Sequence, residues 1–274
     1  MATPHIQPGQ YLLIIGAMKC GTTSLFDYLS GHPRICPARI KEPEYFSRQQ
    51  GHASALSDYE SLWDFDPRRH AWAMEASTGY TKFPVEHGVP ERIHGHGLRP
   101  RFIYLVREPL ARIESHYNFM LPQPGWDLPI THENLINTSR YHLQLSRFLD
   151  VFPRDDLLVL DFADLRDRPD QLLARVCSFL DIDDAYRPTD FGVSNPTDTT
   201  EPLDIALKRL GLGGATAVIP WRVKRSLRPW VKKWGLSGKR RLSAAERDTI
   251  RAALADDMAA LHKDFAIDTT RWGF

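Results

Sequence analysis

The chain has no apolar run near the roughly 18 residues that a membrane-spanning helix needs, and no basic segment followed by an apolar core opens it. Neither a spanning helix nor a cleaved export signal is expected, and the reading is a cytoplasmic protein. Cysteine is scarce: Cys20, Cys36 and Cys177 form an odd set with neither CxxC nor metal-ligand spacing. That argues against a disulfide framework or a zinc site and fits buried thiols in a reducing compartment. His94 and His96 have no third ligand near them, so no metal is expected there either. Repeats and low-complexity tracts are absent. Net charge is nearly absent too: 35 Lys or Arg against 34 Asp or Glu leave +1, so composition gives no reason to expect nucleic acid as a partner.

The near-zero balance hides one concentration of charge. Nine of the 35 basic residues fall in 222–241, which holds no acid, leaving 26 basic against 34 acidic residues elsewhere. Within that run Leu227, Trp230, Val231 and Trp234 stand at helical spacing, interrupted by Pro229. Three readings stay open for it: a solvated basic helix packing its tryptophans, a site for an anionic acceptor, or contact with a membrane surface through 221–241. At 42% hydrophobic the chain can bury one full core, so 1–274 is read as a single domain, with 215–241 as a basic helical appendage and 243–265 as a closing helix. Ser243 with Glu246 makes a capping box, and Ile250, Leu254, Met258, Leu261 and Phe265 form that helix's buried stripe.

Two strands carry the chemistry. Tyr11–Ile15 is a β-branched and aromatic run bounded by Gly16, the pattern of a buried central strand. A loop follows, in which Gly16 and Gly21 flank Ala17, Met18, Lys19 and Cys20, and a helix then begins at Thr22, Thr23 and Ser24. Unpaired amides at a helix N-terminus, the positive dipole end and a nearby lysine together make an anion cradle. The spacing is that of a Walker A loop with its lysine displaced: Thr22 stands where a nucleotide kinase keeps lysine, and Lys19 lies between the glycines. The second strand, Arg101–Val106, ends at Arg107-Glu108-Pro109, and Pro109 suits the first turn of a helix. An arginine there points into the crevice where open parallel sheets bind ligands, unless it merely pairs with Glu108. On that helix Leu110, Ile113, Tyr117 and Met120 are expected to be buried, with Arg112, Ser115 and His116 elsewhere.

Strands and helices continue to alternate. Leu56–Phe65 is read as a short helix, Ala71–Glu75 as a short apolar segment, Val89–His94 as helix, Ser139 as the cap of a helix to Phe152, Leu157–Leu160 as strand and Pro169–Leu180 as helix. The pattern predicts an α/β fold, one P-loop-type domain with a central parallel sheet flanked by helices on both faces. Glu42, in KEPEYF, precedes Pro43 and is expected in an extended or turning segment, either facing the phosphate loop or on a solvated surface turn.

Four blocks together resemble the sulfotransferases that use 3′-phosphoadenosine 5′-phosphosulfate (PAPS), especially the heparan sulfate O- and N-sulfotransferase type and its bacterial relatives. They are GAMKCGTTSL, KEPEYF, YLVREPLARIESHY and the less specific FPRDDLLVLDFADLRDRPDQLLARVCSFLDI. The resemblance implies PAPS as donor, its product adenosine 3′,5′-bisphosphate (PAP) as a ligand, and a hydroxyl of a glycan or small molecule, or an amine, as acceptor. It implies that Lys19 stabilises the leaving phosphate oxygen and that the loop from Cys20 through Gly21, Thr22, Thr23 and Ser24 holds the 5′-phosphate. Arg107 and Ser115 would then hold the 3′-phosphate, and Glu42 would act as base without a metal. Lys239 and Arg240 would replace a basic loop near the last helix. His32, His116 and His142 are rival bases, because a cytosolic branch of these enzymes uses histidine. The chain departs from the pattern at Ala76, where several glycan enzymes carry lysine. A P-loop kinase and a catalytically idle nucleotide- or glycan-binding module remain the alternative functions.

Overall fold

Tyr11–Gly16 is buried at all six positions with no inside-outside alternation, as expected of a strand covered on both faces, and this strand, β1, stands mid-sheet. The computed structural model describes residues 6–48, 58–123, 125–188 and 239–274. In it β1 pairs in parallel with β3 (Trp72–Ala76) on one side and β4 (Arg101–Val106) on the other. β2 (Ile35–Pro37) lies beyond β3 and β5 (Leu157–Asp161) beyond β4, both parallel, giving the order β2-β3-β1-β4-β5.

After β1 the chain passes through α1 (Thr22–Ser30) to the β2 edge, and α2 (Val89–Gly95) leads from β3 into β4. After β4 it moves the other way, through α3 (Pro109–Met120), α4 (Glu133–Asn137) and α5 (Tyr141–Leu149), to the β5 edge. Right-handed crossovers in opposite lateral directions put their helices on opposite faces of the sheet. The loops leaving β1 and β4 therefore diverge, and a crevice opens between the carboxyl ends of those two strands. Helices α6 (Phe162–Asp167), α7 (Pro169–Leu180) and α8 (Ala244–Phe265) complete the described fold.

The expected strand at Arg101–Val106 and helix at Pro169–Leu180 are found at those bounds, and the α8 capping box and buried stripe are present. Three local expectations need correction. The helix expected over 56–65 shrinks, among the described residues, to one 3₁₀ turn at Glu60–Leu62, while the apolar segment at 71–75 does lead through the buried β3. After the 3₁₀ turn Trp63 takes an extended backbone and donates its indole N–H to the Met74 carbonyl. Helix α3 buries Arg112, Glu114, Ser115, His116 and Asn118, whereas Tyr117 and Met120 are partly exposed. The reason is two further covers: Arg112 reaches the Leu135 carbonyl of α4 at 2.6 Å, and Glu114 accepts from Arg241 Nη1 at 2.6 Å, Leu242 N at 3.0 Å and Arg247 Nη2 at 2.9 Å, so the lead-in to α8 lies on the Glu114 face. Finally, α5 starts two residues after Ser139, whose hydroxyl accepts from Arg112 instead of capping. The basic appendage at 215–241 lies outside the described residues up to 238. Among the described residues no helix is long and apolar enough to cross a membrane.

Candidate active site

The loop after β1 depends on glycine and on a buried arginine. Gly21 sits at φ 88°, and a Cβ there would come within 2.8 Å of the Phe162 ring and 2.9 Å of Leu165, so α6 packs against the loop only because no side chain intervenes. Lys19 also takes the left-handed region, at φ 71°, a conformation that non-glycine residues adopt at a cost and that clusters at functional sites. Beneath the loop, fully buried Arg112 donates to the Met18 carbonyl at 3.4 Å, Ser139 Oγ at 2.5 Å, the Leu135 carbonyl at 2.6 Å and His116 Nδ1 at 3.1 Å. Helix α1 then starts at Thr22 with no side-chain cap and no acid in its first turn, which leaves its leading amides to an anion. Thr22 and Ser24 are buried, and Thr23 Oγ1 accepts from Lys41 Nζ at 2.6 Å. Cys20 faces the core. Burial pushes its thiol up to about 11, and its N–H donates to the Ala17 carbonyl, so its side chain adds nothing to the cradle.

The ends of β1 and β4 are tied together. Arg107 Nη1 donates to the Lys19 carbonyl at 3.2 Å, and its guanidinium lies 4.9 Å from the Phe162 ring centroid. Glu108 is not its partner. That carboxylate caps α3, accepting from the amides of Leu110 at 3.0 Å and Ala111 at 2.5 Å. Lys19 Nζ stands 4.2 Å over the Phe119 ring, and burial and Arg107 pull its pKa down while Glu42 opposes them. Ser115 lies two turns into α3. One turn further, Asn118 exchanges hydrogen bonds with the Arg240 backbone at 2.8 and 2.9 Å, which brings 239–240 onto the Ser115 face of the helix. Lys239 is exposed there, and Arg240 Nη2 pairs with Glu246 at 2.6 Å.

Glu42 also takes the left-handed region, at φ 53°, and accepts from Thr78 Oγ1 at 3.5 Å. It forms part of the wall of a cavity of about 350 Å³ beside the loop, shared with Met18, Lys82, His116, Phe119 and Trp126. Burial, then Arg112, pushes the His116 imidazole well below its ordinary value, so the ring is neutral. Arg112 occupies its Nδ1, which leaves the proton on Nε2. The other rival bases are engaged away from this wall: His32 Nε2 meets the Asp183 carbonyl at 3.1 Å, and His142 Nε2 meets Asp264 at 2.8 Å. Among the described residues no cluster suited to a metal occurs.

Several polar groups at the site escaped the sequence reading. Lys41 had a signal, its position next to Glu42, whereas Lys82 had none, since it reaches the cavity only through the turn after β3. Glu44 is buried and accepts from Gly79 N at 2.8 Å and Ser47 Oγ at 2.6 Å. Behind it Glu75, fully buried, accepts from the hydroxyls of Tyr59 at 2.7 Å, Tyr80 at 2.8 Å and Ser77 at 2.6 Å. Burial pushes Glu75 up to about 7 against those three donors.

Known proteins resemble this chain in fold and in sequence. The crystal structure of a sulfotransferase from Alicyclobacillus acidocaldarius matches with a TM-score of 0.68 and 21% identity, over 98% of this chain and 100% of that one, which is a likeness of fold. Heparan sulfate glucosamine 3-O-sulfotransferase 5 of Mus musculus is 26% identical over 187 residues, 62% of this chain and 53% of that protein. The bifunctional heparan sulfate N-deacetylase/N-sulfotransferase 3 of Mus musculus is 25% identical over 202 residues, 64% of this chain and 22% of that protein. The chain thus spans about half, or less, of the length of these two Mus musculus relatives. Residues 10–190, which include the loop after β1, Glu42 and the segment from Arg107 to Ser115, match the model of the sulfotransferase domain, and the chain belongs to that family.

Proposed function

We propose that this protein transfers a sulfuryl group from PAPS to the hydroxyl of a carbohydrate or small molecule, as one catalytic domain over 1–274 that needs no metal. The acceptor oxygen attacks sulfur, its proton passes to the Glu42 carboxylate, and the electron pair of the breaking S–O bond goes to the 5′-phosphate oxygen beside Lys19. Lys19 stabilises that developing charge, and the amides at the start of α1 hold the same phosphate. Arg107 and Ser115 hold the 3′-phosphate, with Lys239 and Arg240 alongside, and gripping the donor at both ends sets the in-line geometry. A reducing, cytoplasmic setting accords with the three unpaired cysteines.

The observation that carries this reading is the junction of Arg107 with the Lys19 carbonyl, which sets two cationic side chains from two adjacent strand ends at one crevice. Two observations favour Glu42 over histidine as base. Glu42 lines the cavity whereas His32 and His142 are engaged elsewhere, and His116, which also lines it, has its acceptor nitrogen turned to Arg112. The donor assignment is tested by calorimetry: PAP should bind far more tightly than AMP, and Arg107→Ala should erase most of that preference. Equal affinities in the wild type would remove PAPS as donor.

A further inference from the structure

The cavity beside Lys19 has a chemical character that limits what it admits. Its wall includes Met18, Phe83, Val85, Phe119, Met120 and Trp126. Large hydrophobic side chains left exposed among the described residues are Ile40, Val85 and Phe119, and two of these three stand in this wall. An apolar surface kept open to solvent at a reacting centre marks a binding site for apolar matter. The volume of about 350 Å³ falls at the small end of ligand pockets, which run from roughly 300 to 1,000 Å³.

Charge argues the same way. The charged groups of the described wall are Glu42 and Lys82, which balance, while His116 is neutral. Burial lowers the pKa of Lys82, and Glu44, Glu42 and Glu86 lie near enough to oppose it, so the positive charge it brings is offset by carboxylates of this chain. A polyanionic chain is recognised by a wall with an excess of lysine and arginine. None is found here among the described lining residues. Polar capacity does remain: Trp126 Nε1 and Asn137 Oδ1 are buried without a partner among the described residues, a donor and an acceptor in the same wall.

Resting on the sulfotransfer reading above, we propose that the acceptor is an uncharged phenol or alcohol with a compact apolar body held against Phe119 and Trp126, and not a polyanionic glycan. Its hydroxyl meets Glu42, the O–S bond forms as the S–O bond to the donor phosphate breaks, the hydroxyl proton goes to Glu42, and PAP leaves with the electron pair. Phe119 joins the two halves of the site, because one face of its ring carries the Lys19 ammonium while the residue also lines the cavity.

The test is an acceptor panel with sulfate-labelled PAPS on the full chain, comparing uncharged phenols and alcohols such as 2-naphthol and 1-octanol with a heparan sulfate octasaccharide. Turnover of an uncharged member with kcat/KM at least tenfold above the octasaccharide is expected. Trp126→Ala should raise KM for that member by roughly tenfold, as truncation of an aromatic anchor in a desolvated pocket does, while PAP affinity stays within about twofold. Equal or better turnover of the octasaccharide overturns the proposal, as does failure of every uncharged member while PAP still binds. Loss of PAP binding in the wild type would instead bring down the sulfotransfer reading beneath it.

Discussion

Arg112 offers a prediction whose size can be worked out from its contacts. It is fully buried, its four hydrogen-bond partners are all uncharged, and they join four separate segments: the loop after β1, its own helix, α4 and the turn before α5. Arg112→Met keeps the length and apolar stem but leaves the Leu135 carbonyl and Ser139 Oγ without a donor and the Met18 carbonyl with only the Cys20 thiol at 4.0 Å. Orphaned buried acceptors cost about 1–3 kcal/mol each, and the relief of no longer burying a charge offsets part of that, so a net loss of about 3 kcal/mol is expected. For a chain of this size each kcal/mol moves Tm by roughly 2–4 °C, which puts the variant about 6–12 °C below wild type. Arg112→Lys sharpens the test. It preserves the charge but cannot donate along the planar fork to several partners at once, so it should melt close to Arg112→Met. Paired thermal and urea melts decide the matter, and a lysine variant within about 2 °C of wild type would refute the fork argument.

Other perturbations test the site at separate points. Lys19→Ala should keep its melting temperature and lose roughly 10²-fold or more in kcat, the effect of removing one preorganised electrostatic contact; an unchanged kcat would end the leaving-group role. In the wild type, activity that needs charged Lys19 should begin to fall on the alkaline side below 10.5, because burial and Arg107 lower its pKa. Glu75 is raised from 4.5 to about 7 by burial, so the folded state holds its proton more tightly than the unfolded one. Stability from this group is full below pH 4.5 and is lost as pH rises through 7, by about 3 kcal/mol, and Glu75→Gln should flatten that part of the urea-midpoint profile against pH. The same slope in both proteins would contradict it. EDTA should leave turnover intact, whereas a strict Mg²⁺ requirement would favour phosphoryl transfer.

The framework of this fold was legible because its signals are local. Gly16 and Gly21 around Lys19, the apolar runs at 11–15 and 101–106, Pro109 at a helix start and the Ser243 capping box each announce themselves over a few residues. The site was legible only in part, since its side chains are joined across the sheet. Arg112 was placed off the one apolar stripe that periodicity shows on α3, and nothing local reveals that Leu135 of α4 and Ser139 close over it. Lys82 and Glu75 were missed for the same reason: such a charge is recognisable by its surroundings, and these come from other segments, Tyr59 for Glu75 and the Glu42–Glu44 turn for Lys82. Glu42 was singled out through its motif, but its left-handed backbone and its seat in the cavity wall were not readable from spacing.

The central claim is that Glu42 takes the acceptor's proton while Lys19 steadies the leaving phosphate. Single-turnover transfer of labelled sulfate from PAPS, measured for wild type and Glu42→Gln alongside PAP affinity, tests it most directly. Glu42→Gln should bind PAP as tightly as wild type and transfer sulfate roughly 10²- to 10⁴-fold more slowly, the usual contribution of a positioned general base. Near-normal transfer by Glu42→Gln, with loss in His116→Ala instead, would contradict the account.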